Sequence, residues 1–152
     1  MRHTTIAMAA MLTLAATACC HTSDERQIRQ AAQGYLDATG NYLVDEAIPF
    51  ATARTRELSI PAMNYIMQHA DTAYINSNRP ATITLTEVKM LSDTSARVLY
   101  HKHTPIKEVD DSVTVLKEDG QWLVDVMIGL VPGYSSKPLR VLGQPKQDTL
   151  QQ

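Results

Sequence analysis

At Pro80 the hydrophobic pattern changes period, and no other feature limits the fold of this chain so strongly. Before Pro80 apolar residues recur every three to four positions; after it they alternate. Upstream, Ile28, Ala31, Ala32, Tyr35 and Leu36 share one helical face and predict a first helix from about Ser23 to Thr39. Thr22-Ser23-Asp24-Glu25 fits a capping box at its start, with Glu25 reaching back to the cap. Gly40-Asn41 fits its end. Asp45 to Arg56 reads as a less regular second helix with Pro49 near its first turn. A third helix is expected from Ser59 as cap and Pro61 in the first turn, ending near Asn76-Ser77-Asn78. Its apolar stripe is Met63, Ile66, Met67, Ala70, Ala73 and Tyr74.

Downstream, "ATITLTEVKML" and "ARVLYHKHT" are rich in Thr, Val and Ile and read as strands. "DSVTVLKEDGQWLVDVMI" reads as two more, joined by a tight turn at Glu118-Asp119-Gly120. Helices followed by a meander of strands give an α+β class, with N-terminal helices packed on an antiparallel sheet of about four strands. At 152 residues, 44% of them hydrophobic, the chain has the material for one core. Its formal charge of −2 argues against nucleic acid as a partner, which calls for a basic patch.

The N-terminus reads as an export leader. Met1-Arg2-His3 supplies a positive start, and Thr4 to Ala18 follows without charge. No stretch reaches the roughly 20 apolar residues of a spanning helix. Cys19 and Cys20 are adjacent, which disfavours a disulfide between them and makes a poor metal site. Ala16-Thr17-Ala18-Cys19 resembles a lipobox, the cleavage signal of bacterial lipoproteins. The resemblance implies a lipid attached at Cys19, and stable anchoring takes more than one acyl chain. Three segments are therefore expected: 1–18 a lipoprotein signal peptide, 19–130 the folded domain, and 131–152 a loosely ordered tail. That tail carries Pro132, Pro138 and Pro145. The expected location is the cell envelope, on the periplasmic face or at the cell surface.

"QAAQGYLDATGNYLVDEAIPFAT", "ARVLY" and "VTVLKEDGQWLVD" resemble small envelope lipoproteins of the nuclear transport factor 2-like (cystatin-like) superfamily. The likeness is to a domain-of-unknown-function branch, some members of which are labelled lumazine-binding. It rests on Tyr35-Leu36, on Phe50-Ala51-Thr52 and on the run from Val115 to Gly120 with Trp122 and Val124, within Glu25 to Val126. It implies a cone-shaped fold whose curved sheet and helices enclose a pocket. It transfers no catalytic residue.

Tyr35, Tyr65 and Tyr100 are the expected ligand-binding residues of that pocket. As plain structure, each places a ring in the core and a hydroxyl at its boundary. Asp125 is the one carboxylate weighed as a general base, but alternation against Trp122, Val124 and Val126 turns it outward. His101-Lys102-His103 places two imidazoles on one strand face, where Glu108, Asp110 or Asp111 could complete a metal site. The alternative is a solvated edge, with Val98 and Tyr100 inward and Lys102 following them to the rim. The solvated edge is preferred, so no catalytic residue, metal or cofactor is assigned. The function expected is non-enzymatic binding of a small apolar ligand or an envelope protein by a membrane-anchored domain. The rivals are a pocket enzyme of the ketosteroid-isomerase or polyketide-cyclase type, and a structural or inhibitory interaction module.

Overall fold

The computed structural model describes residues 12–128, with side chains from residue 23 onward. The start of the expected leader and the expected tail from residue 131 lie outside the described residues. Helix α1 spans Leu12–Gly40. The predicted face is its buried one: Ile28, Ala31, Ala32, Tyr35 and Leu36 all lie in the core. The capping box is not formed. The helix already runs through Thr22, so the amides that a cap would satisfy have intrahelical partners. Glu25 instead accepts from Arg29 at 2.9 Å, and Asp24 accepts from the Lys117 ammonium at 3.1 Å.

The helix ends at Gly40 as expected, but the left-handed residue of its stop is Tyr42, two positions further on. Leu43 N donates to Ala38 O and Tyr42 N to Thr39 O, a Schellman stop with Tyr42 at φ 64°. An aromatic residue in this left-handed region is strained, since glycine is what the position normally takes.

The expected second helix divides. Val44–Phe50 is a 3₁₀ segment containing Pro49. The ring of Phe50 occupies the space that a Cβ on Gly34 of α1 would need, so Gly34 permits this close approach. A π turn at Thr55–Ser59 then runs into α2, Ile60–His69. Pro61 has no N–H for the carbonyl four residues back, which suits a widened turn at this place. The expected third helix also breaks, at Ala70-Asp71, before α3 (Thr72–Ser77), which Asp71 caps by accepting from Ala73 N at 2.8 Å. Ser59 makes no cap at all; its hydroxyl accepts from Ile128 N at 2.8 Å.

Strands β1 (Thr82–Ser92), β2 (Ser95–Thr104), β3 (Lys107–Glu118) and β4 (Gln121–Asp125) form an antiparallel sheet in the order β1-β2-β3-β4. All four occur in the expected segments, though β3 begins at Lys107, four residues before the expected Asp111, and β4 stops at Asp125, short of Ile128; the α+β class holds. Asp119 and Gly120 both have positive φ, as a type I′ hairpin turn requires. Register shifts between Leu85 and Glu87 and between Met90 and Ser92 bend β1.

Side chains cover the start of one sheet edge and the length of the other. At the start of β1, Asn41, just after α1, accepts from Ala81 N at 2.8 Å and donates to Ala81 O at 3.1 Å, while Gln33 donates to Ile83 O at 3.2 Å. On β4, Ala51 forms a parallel bridge to Val124, Thr52 N donates to Val124 O at 3.0 Å, and Thr55 and Ser59 extend the pairing with hydroxyls. Thr55 Oγ1 accepts from Val126 N at 2.9 Å, and Ser59 bonds Ile128 N. All three are fully buried. Such hydroxyls replace a neighbouring strand and leave neither edge free for another chain there.

Candidate functional site

The inner sheet face is covered unevenly. Toward one end, Ala96 and Val98 of β2 and their partners Val115 and Val113 of β3 are buried under α1. Two residues further, Tyr100 and Lys102 are only half-buried, Val109 likewise, and Asp111 is exposed. Thr104 beyond them is buried again, so the cover over this face is thinnest at Tyr100, Lys102 and Val109. Tyr100 and Lys102 lie there opposite Tyr35 and Gly40 of α1.

Tyr35 is 3% exposed, and its hydroxyl has no hydrogen-bond partner among the described residues. Burial, with Tyr100 adding to it, raises its pKa to about 12. Tyr100 is raised to about 12 as well, by burial and then by Asp111, the cross-strand residue that accepts its hydrogen bond. Lys102 is the third polar group. Its ammonium lies 3.7 Å from where a Cβ on Gly40 would sit, beside Ala81 and Ile83. Burial, and then the Lys107 charge, lowers its pKa. It follows Tyr100 inward as alternation predicts.

Of the three expected tyrosines, the structure brings together Tyr35 and Tyr100. Tyr65 is elsewhere: it is 52% exposed on α2 and stacks on His69 with ring centroids 4.2 Å apart. Ile66 and Tyr74, drawn from the same predicted apolar stripe, are exposed too, while Met63 and Met67 pack against the core. The stripe spans two helices separated by a break, so no single face could bury all of it.

Asp125 points away from the inner face, as its alternation with Trp122 and Val124 implies, yet it is not in open solvent. Arg54 holds it in an ion pair through Nη2 and donates from Nε at 3.1 Å, and Thr52 donates at 3.0 Å. A carboxylate so engaged fastens the 52–55 segment to β4. Sequence reasoning missed Arg54, Thr52, Thr55 and Ser59, since their partners lie about 70 residues away.

His101 and His103 occupy the outer face, each held across the strand pair: His101 to Asp110 at 2.8 Å and His103 to Glu108 at 3.0 Å. Among the described residues no group of three His, Cys, Asp or Glu side chains is placed to hold a metal ion. The outer face also carries a groove of about 450 Å³ lined by Lys89, Arg97, Leu99 and Ser112, bordered by Tyr100 and Asp111. It is open, and none of its side chains is both buried and unpartnered. Cys19 falls within the backbone of α1, outside the described side chains. Among the described residues no helix is long and apolar enough to cross a membrane.

No protein-family model and no curated protein matches the sequence. Among solved structures, the chain is similar to an NTF-2-like protein of unknown function from Shewanella oneidensis MR-1, at 19% identity and a TM-score of 0.46. The alignment covers 66% of this chain and 93% of that one. At that level the likeness brings no residue role with it.

Proposed function

We propose that this α+β chain is a membrane-anchored envelope lipoprotein whose domain binds a small, largely apolar ligand without catalysing a reaction, at the thinly covered part of the inner face beside Tyr35 and Tyr100. The observation that carries the binding reading is the Tyr35 hydroxyl, buried and unpartnered. An unsatisfied buried hydroxyl costs about 1–3 kcal/mol, which an acceptor on a ligand would return. Leu85, the cross-strand partner of Tyr100, is partly buried against the same core and supplies apolar surface there. The non-enzymatic reading rests on Asp125, whose carboxylate is engaged by Arg54 and Thr52 on the other face. A protein partner is the second reading, favoured by the exposed Leu58, Tyr65, Ile66 and Tyr74 on or beside α2 and α3. The anchor reading rests on the sequence from Ala16 to Cys19.

Native mass spectrometry of the protein taken from its own envelope tests the binding. A small molecule retained by the wild type is expected; clean ligand-free protein from every preparation would sink the reading. For the anchor, radiolabelled palmitate should enter the wild type and not Cys19→Ala. Equal labelling of the two proteins would remove Cys19 as the attachment site.

A further inference from the structure

Among the described residues the Lys102 ammonium is a charge without an opposite. It makes no hydrogen bond or ion pair among the described residues, and the charged group that acts on it, Lys107, repels it. Beside it lie the apolar Ala81 and Ile83 and the bare backbone of Gly40. The remaining favourable influence is the partial negative charge at the C-terminal end of α1, which offsets only a fraction of a full charge. A half-buried cation in such a place is costly unless an anion joins it.

We propose that the ligand is an amphipathic monoanion whose carboxylate or phosphodiester head pairs with the Lys102 ammonium. Its apolar body runs inward past Tyr100 toward Tyr35. This inference rests on the binding reading above and adds to it the ligand's charge and the residue that selects it. A charge-assisted bond from a partly desolvated ammonium is stronger than a neutral hydrogen bond. A neutral ligand of equal chain length would leave the ammonium unpaired and bind more weakly.

Calorimetric titration of the full chain tests this with four probes: decanoate, decanol, dihexanoylphosphatidylglycerol and dihexanoylphosphatidylcholine. At least one anionic probe should bind about tenfold more tightly than its uncharged or zwitterionic counterpart, equivalent to about 1.4 kcal/mol. Which anion shows the preference decides between a free carboxylate and a phospholipid head. In Lys102→Met the preference should vanish while decanol affinity stays within twofold; Lys102→Arg should keep it and serves if the methionine variant folds poorly. Equal affinity for anion and counterpart in the wild type overturns the charge assignment and leaves the binding reading standing. A preference that survives intact in Lys102→Met removes Lys102 as its seat. Failure of all four probes to bind overturns both.

Discussion

Between pH 10 and pH 12 the domain is expected to lose about 4 kcal/mol of stability, enough to threaten the fold of a protein of ordinary marginal stability. The cause is the pair Tyr35 and Tyr100, both raised from 10.0 to about 12 in the folded chain. In that window the unfolded chain releases two phenolic protons that the folded chain keeps. The unfolded state then binds fewer protons, so stability falls as pH rises. Below pH 10 both states are protonated and the contribution is fully present. A tenfold change in an ionisation equilibrium corresponds to about 1.4 kcal/mol, hence about 2–3 kcal/mol for Tyr35. Tyr100 is only half-buried, and water screening its hydroxyl reduces its share to about 1–2 kcal/mol. Melting temperature against pH, with absorbance at 295 nm recorded alongside, reads both the loss and the ionisation. Tyr35→Phe should remove more than half of the loss. At pH 7 it should leave stability unchanged or slightly raised, because the hydroxyl removed has no partner among the described residues. Ionisation of every tyrosine near pH 10 with the fold intact would show that neither ring is enclosed as described.

Thr55→Val is expected to destabilise the domain by about 2–3 kcal/mol, although the side chain keeps its shape. The hydroxyl accepts from Val126 N at 2.9 Å and lies within 3.2 Å of Val124 O, to which it can donate. Valine leaves the Val126 amide buried and unpaired at the end of the edge strand. Thr55→Ser, which retains the oxygen, should cost about 1 kcal/mol, the loss of one buried methyl. Urea unfolding midpoints separate the two variants. If Thr55→Val is as stable as Thr55→Ser, the hydroxyl does not fasten β4.

The strands were readable because their signals are local. Val98, Tyr100 and Lys102 alternate with Leu99, His101 and His103, and the Asp119-Gly120 pair suits the positive φ that its turn demands. The face of α1 was readable for the same reason. Residues 45–77 were not. Thr52, Thr55 and Ser59 resemble ordinary helix-start residues, and what decides their conformation is the unpaired edge of β4, which no window around them contains. At the site, alternation foretold that Lys102 turns inward with Tyr100. It could not foretell that the ammonium settles against Gly40, or that the Tyr35 hydroxyl meets nothing, because both depend on how α1 crosses the sheet.

The unbroken course of α1 sets a length. Helical backbone continues from Cys19 to Gly40, and at about 1.5 Å per residue this separates the proposed lipid from the Lys102 region by about 30 Å. The Asp24–Lys117 contact pins the early part of the helix to β3, so the helix acts as a stiff post and not as a slack tether. An acyl chain reaches about half a bilayer core, roughly 15 Å. On the proposed anchor and site, the lipid at Cys19 would fall short of the Lys102 region, so the ligand proposed there would be a separate molecule.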